Sequence, residues 1–198
     1  MRVLNKEEFE QEKPKLLKQL RQSVFLYPTD SIYGIGCDAT NPDLVQKVRE
    51  AKNSTLQPFS VIAPSKEWVY DHCEVPPHAK EWVDQLGSLI EIDGDPKAVS
   101  LILNLKDKDA MAPNVLQGKD TLSVRMPAPW FSDAVAEMGV PVITTSANPT
   151  GGDFMTSMEN LHPRVKQYVD YCIYEGEKTG NPSTLVHLDK DEIDIKKR

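Results

Sequence analysis

The chain has 198 residues, 39% of them hydrophobic and 27% charged, and its 23 Lys and Arg against 30 Asp and Glu leave a formal net charge of −7. That length can bury one full core, and that composition is of an ordinary globular domain. The negative balance excludes broad nucleic-acid binding driven by counterion release and leaves room only for a small basic cleft. The longest apolar run, residues 98–103, is far too short to cross a bilayer, and residues 1–18 carry charges throughout, with no apolar centre of a secretory signal. A cytoplasmic protein with no membrane partner is therefore expected.

Taken in chain order, β-rich and amphipathic stretches alternate. Asn5 and Glu8 have the spacing of a capping box, and Phe9, Leu16, Leu17 and Leu20 continue an apolar helical face on which Pro14 predicts a kink or a restart. Residues 23–27 (SVFLY) read as a strand stopped by Pro28. Asn41-Pro42 starts a helix carrying Leu44, Val45 and Val48 at helical spacing. A strand follows at 59–63, then a helical pattern over 65–86 broken at Pro76-Pro77. Residues 98–105 and 121–125 (TLSVR) are strands, and 130–138 is a short helix ended by Gly139. Residues 140–145 form a strand, 157–168 a helix, 170–174 and 183–188 strands, and the charged residues 189–198 a tail. Without internal repeats or an interdomain linker, residues 1–198 read as a single α/β domain with a mixed sheet and helices packed on it.

Cys37, Cys73 and Cys172 are widely spaced, and neither they nor the four histidines form a metal-ligand or redox pair. The residues that stand out are polar ones at strand ends. They lie in 27–36 (YPTDSIYGIG), at Lys52 just after a helix, in 121–125, at Ser146 and Asn148 ahead of Gly151-Gly152, and in 181–184 (NPST). Singly, each is explained by turn chemistry or by a cation at a helix C-terminus. Together they offer what a phosphorylated ligand needs where strand ends converge: hydroxyls, a carboxamide, glycine N–H groups, and the cations Lys52 and Arg125. Neither GxxxxGK[ST] nor GxGxxG is present, and no Ser-His-Asp order, HExxH or paired carboxylates point to a hydrolase.

The motifs Tyr27-Pro28-Thr29-Asp30-Ser31-Ile32-Tyr33-Gly34, Lys52, Pro58-Phe59-Ser60-Val61, Val124-Arg125-Met126-Pro127, Ser146-Ala147-Asn148 and Ser183-Thr184, in that order across residues 24–188, resemble the YrdC family. The resemblance implies a twisted mixed sheet with an open cavity. It also implies a nucleotidyltransferase of the short single-domain type, an L-threonylcarbamoyladenylate synthase. Such an enzyme forms threonylcarbamoyl-AMP and pyrophosphate from L-threonine, bicarbonate and ATP, with Mg²⁺ on the phosphates. A separate tRNA threonylcarbamoyltransferase complex uses the product, and weak direct RNA binding is a further expectation. Carried over by position, Ser31, Arg125, Ser146 and Ser183 would surround threonine. Lys52, Thr121, Asn148 and Thr156 would surround ATP, with Lys52 and Arg125 as the catalytic cations and no protein metal ligand.

The chain departs from the family pattern in three places. Lys-x-Arg reads Lys52-Asn53-Ser54, ahead of a loop to Pro58 that is one residue short. A histidine four residues after that proline is Ile62. Pro-Gly-Pro-x-Thr is replaced around Asp93-Gly94-Asp95-Pro96-Lys97. Arg49, Lys97 or the 196–198 tail could supply the missing cation. The alternative reading is a weakened family member that binds nucleotide or RNA, and a third is the carbamoyl-phosphate chemistry of carbamoyltransferase modules.

Overall fold

Ten of the strands join in one twisted sheet in the computed structural model, which describes residues 1–54, 56–128 and 130–197. Across the sheet the order is β1 (Arg2–Leu4), β10 (Tyr171–Ile173), β2 (Phe25–Pro28), β3 (Tyr33–Gly36), β9 (Val142–Ser146), β4 (Ser60–Ile62), β8 (Thr121–Arg125), β7 (Val99–Asn104), β11 (Thr184–His187) and β12 (Asp194–Lys196). β1–β10–β2, β4–β8 and β7–β11 pair parallel, whereas β2–β3–β9–β4, β7–β8 and β11–β12 are antiparallel. β5 (Ile90–Ile92) and β6 (Asp95–Lys97) make a separate hairpin.

Local chemistry sets the helix ends. α1 (Lys6–Leu20) begins at the capping box, with Glu8 N donating to Asn5 Oδ1 at 2.9 Å and Asn5 N donating to the Glu8 carboxylate at 2.8 Å. It runs without interruption through Pro14, contrary to the expected restart. Phe9, Leu16 and Leu20 anchor the helix in the core on both sides of the proline. α2 (Pro42–Lys52) is capped by Asn41 and leaves through Asn53 in the left-handed region at φ 51°. The break expected at Pro76-Pro77 separates α3 (Lys66–His72) from α4 (Lys80–Asp84). α5 (Phe131–Met138) stops at Gly139, φ 68°. α6 is only Pro163–Tyr168, because the Asn160 side chain accepts the N–H groups of Thr156 and Ser157 and holds the preceding residues in a turn.

Strand alternation sorts side chains onto two faces. Leu26, Val61, Leu101, Val124, Ile143 and Val186 point into one core with Val45 and Val48 of α2 and Val165 of α6. On the opposite face Phe25, Tyr27, Ile62, Val142 and Ile173 pack under Phe9 and Leu16 of α1 and Phe131 and Val135 of α5. Tyr27 stacks on Phe131 at 4.8 Å. β3 is a strand because its glycines make room for Tyr27: a Cβ on Gly34 would lie 2.7 Å from Tyr27 Cζ, and one on Gly36 would lie 2.4 Å from the Ile143 carbonyl oxygen. The charged C-terminal stretch is not simply a tail. Residues 194–196 pair antiparallel with β11 through Val186↔Ile195, so the charges decorate an edge strand.

Candidate functional site

Two residues along the sheet, the helix-covered face becomes a cavity. On β4 and β9 the paired residues Ile62 and Val142 lie in the aromatic core, whereas the next pair on that face, Ser60 and Thr144, line an open space of about 380 Å³. Its other walls come from the β2–β3 turn, residues 57–59, Ser100 on β7, Arg125 on β8 and residues 181–183 before β11. Hydroxyls dominate the lining. Arg125 is its one charged residue among the described residues.

Arg125 ends β8 and is 7% exposed. Its Nη2 is ion-paired with Asp30, which does not itself line the cavity, while its Nε is buried without a hydrogen-bond partner. Ser31 is fixed from both sides. Its N–H donates to Thr29 Oγ1 at 3.2 Å, and its carbonyl accepts Gly180 N at 3.0 Å. Gly180 passes so close that a Cβ there would lie 2.6 Å from the Ser31 backbone, so only glycine lets the 176–183 segment close that wall. The hydroxyls of Ser183 and Ser100 are 2.8 Å apart.

Lys52, the last residue of α2, is 6% exposed. Its ammonium donates to the carbonyls of Ser146 at 2.6 Å and Asn148 at 2.8 Å. These partners are neutral dipoles, and burial pulls the Lys52 pKa down to about 8. In return Thr150 N and Oγ1 donate to the Lys52 carbonyl at 2.8 and 3.1 Å, so the helix end and the Ser-Ala-Asn turn clamp each other. The turn rigidifies itself further. Asn148 Nδ2 donates to the carbonyls of Pro149 at 3.0 Å and Gly152 at 2.6 Å, leaving Oδ1 buried and unpartnered.

The residues assigned from sequence thus fall into two groups. Ser31, Arg125, Ser146 and Ser183 all line one cavity. Lys52 and Asn148 act on its wall from behind, through the turn that carries Ser146. Thr121 sits on β8 opposite Asn104, and Thr156 is bound to Asn160; neither lines the cavity.

The candidate replacement cations are occupied elsewhere. Arg49 is 4% exposed, donates to the carbonyls of Asn114, Val115 and Gln57 at 2.6–3.1 Å, and stacks 4.3 Å over Phe59. It braces the cavity wall instead of facing into it. Lys97 pairs with Asp95, Lys196 with Asp194 and Lys197 with Asp93; Arg198 lies outside the described residues. Ser54 is 7% exposed, donates its N–H to the Arg49 carbonyl and does not line the cavity. Ile62 is fully buried among aromatic rings, not in the cavity.

Ser100, which lines the cavity, is not among the residues that the sequence motifs single out. The available signal is a lone hydroxyl inside the apolar run 98–103, facing away from the core to which Val99 and Leu101 belong. Ser60 and Ser123, whose hydroxyls are 2.8 Å apart, carry the same signal on β4 and β8.

The chain is 32% identical over 141 residues to threonylcarbamoyl-AMP synthase of Bacillus subtilis, a match covering 70% of this chain and 38% of that protein. To threonylcarbamoyl-AMP synthase of Hydrogenovibrio crunogenus it is 28% identical over 159 residues, covering 79% of this chain and 81% of the relative. The crystal structure of P. abyssi Sua5 complexed with L-threonine superposes with a TM-score of 0.80 at 22% identity, over 98% of this chain and 56% of that one, so the two share the fold. A family model described as Sua5/yciO/yrdC, "Telomere recombination", matches residues 18–198. The chain belongs to the Sua5/yciO/yrdC family.

Proposed function

We propose that the chain is a threonylcarbamoyl-AMP synthase, a nucleotidyltransferase that joins L-threonine, bicarbonate and ATP and releases pyrophosphate and water. The observation that carries this reading is one arrangement. A cavity lined by hydroxyls and a single buried arginine abuts a rigid turn whose grip, Lys52, is a buried ammonium held by backbone carbonyls. The curated relatives with that name match most of this chain.

In this reading the threonine amine becomes a carbamate. A carbamate oxygen attacks the α-phosphorus of ATP, and the α–β phosphoanhydride bond breaks to release pyrophosphate. No protein nucleophile is needed, so the chain's part is to position the reactants and neutralise charge. Arg125 would present its free Nε and guanidinium edge to the threonine carboxylate, oriented from behind by Asp30, with Ser31, Ser146 and Ser183 around the rest of the amino acid. Lys52 would place positive charge behind the wall nearest the phosphates while it holds the turn, and Asn148 would keep that turn rigid on the nucleotide side. Thr121 and Thr156 are assigned to ATP by resemblance alone. Mg²⁺ would enter as part of the ATP substrate: among the described residues no carboxylate lines the cavity and no cluster of His, Cys, Asp or Glu could hold a metal. The product would pass to a separate tRNA threonylcarbamoyltransferase complex in the cytoplasm. None of the described helices is long and apolar enough to cross a membrane.

The test is pyrophosphate release by the full chain with threonine or bicarbonate omitted in turn. Release that requires both supports the synthase. A second reading, a weakened nucleotide- or RNA-binding member, is favoured by one specific observation: Ser54 is buried, and the candidate cations among the described residues make their contacts elsewhere. Tight ATP or RNA binding without pyrophosphate release would establish it.

A further inference from the structure

Phe154 is the only exposed Phe, Tyr or Trp ring among the described residues, at 39%, and it stands in the cavity wall. Exposure usually accompanies a loose loop, but here the backbone around the ring is tied at several points. Gly152 O accepts from Asn148 Nδ2, Phe154 O from Asn160 Nδ2 at 3.1 Å, Met155 O from Tyr33 N at 3.1 Å, and Thr156 O from Lys178 N at 2.9 Å. Met155, next in sequence, is fully buried and anchors the segment in the core. The fold therefore holds an apolar ring rigidly against solvent at the edge of the cavity, where nothing in the described chain covers it.

A ring presented in this way suits a flat ligand with a π-face. Amino-acid and phosphate groups are matched by hydroxyls, Arg125 and the Lys52-held turn; of the other rings in the lining, Tyr33 is fully buried and Phe59 is 4% exposed, so Phe154 offers the most accessible flat apolar surface. Phe154 follows Asn148 in the same tied segment, just past Gly151-Gly152, so a base on this ring and phosphates on the turn would be held by one rigid piece of chain. We propose that Phe154 is the platform on which the base of the bound nucleotide stacks. This rests on the nucleotide reading above and adds to it the residue that recognises the base. Stacking is tolerant of base identity, because every base has a π-face, so the ring would contribute affinity more than selection of adenine.

The experiment compares ATP with inorganic tripolyphosphate, which has the charge but no base, as ligands of the full chain measured by calorimetry. Phe154→Ala should raise the Kd for ATP by about tenfold or more, the loss expected for a base stacked on an aromatic ring, and leave tripolyphosphate binding unchanged. Phe154→Trp should restore ATP affinity, and its indole emission should be quenched by ATP and not by tripolyphosphate. An unchanged ATP Kd in Phe154→Ala, or an equal loss for both ligands, would overturn the stacking role; in the first case the exposed ring would serve a protein partner instead. A wild-type chain that binds neither ligand would overturn the nucleotide reading and this inference together.

Discussion

One face of this sheet does two different jobs in neighbouring regions. Toward β2 and β10, Phe25, Tyr27, Ile62 and Val142 are sealed beneath α1 and α5; toward β7 and β8, Ser60, Ser100, Ser123 and Arg125 carry polar groups instead. The boundary falls within β4 and β9, between the pair Ile62–Val142 and the pair Ser60–Thr144. Both pairs belong to one continuous ladder, so the difference is one of side-chain type. Large apolar rings recruit helices to cover them, whereas hydroxyls satisfied by one another gain nothing from a covering helix and leave a ligand-sized space. The same sheet is thus a core where it is aromatic and a site where it is hydroxylic.

Substitutions on either side of that boundary should behave oppositely. The largest effect is expected at Phe131, which is 1% exposed and in contact with Tyr27, Phe25 and Phe9. Phe131→Ala should cost about 3–5 kcal/mol in denaturant unfolding. A smaller loss would mean that α5 is less firmly seated than its packing indicates.

Lys52 comes next, because it belongs to the site but is buried like a core residue. Lys52→Met should lower the rate of threonine-dependent pyrophosphate release roughly 10²–10³-fold, and it should also change how the stability of the ligand-free chain depends on pH. Burial depresses its pKa to about 8 from the ordinary lysine value of 10.5, so between those values the unfolded chain keeps a proton that the folded one has lost. The Lys52 contribution to stability should therefore rise as pH increases from about 8 to 10.5, with the penalty fully present below about 8; the buried thiols of Cys37, Cys73 and Cys172, whose pKa values burial raises, act in the opposite sense above about 9, so the difference between wild type and Lys52→Met isolates the lysine. Equilibrium unfolding across this range in both proteins measures it. Nucleotide affinity should fall over the same rise in pH.

Arg125→Lys is milder. It keeps the charge beside Asp30 and loses the fork, so the threonine KM should increase about tenfold, or about 1.4 kcal/mol. Wild-type threonine use by the variant would move the carboxylate pocket elsewhere. The smallest effect is expected from Ser54→Arg. Position 54 is 7% exposed and outside the cavity lining, so adding the family's arginine there should lower the melting temperature without raising the rate. A faster variant would show that an arginine at position 54 reaches the phosphates.

Much of this molecule is legible in its amino-acid sequence. The capping box at Asn5, the Asn41-Pro42 helix start and the Gly139 stop are local signals acting within a few residues, and each element begins or ends there. Strand periodicity likewise marks 121–125 and 140–145, and the four residues that the motifs assign to threonine line one cavity. The elements that escape such reading are those whose cause is remote. β3 is a strand because Gly34 and Gly36 admit a tyrosine from β2, and β1, β5, β6 and β12 are three-residue strands without the apolar flanks that mark the equally short β4 and β10. Which cations face the cavity is also beyond sequence. Arg49 and Lys52 are three residues apart on one helix, yet Arg49 is taken by carbonyls of the 57 and 114–115 loops and Lys52 by the Ser-Ala-Asn turn, partners up to 96 residues away. Sequence sets side-chain type and local conformation, because those forces act between neighbours. The assignment of each charge to a wall, a brace or a ligand depends on which distant carbonyls are left without partners, and that is decided only when the whole sheet has closed.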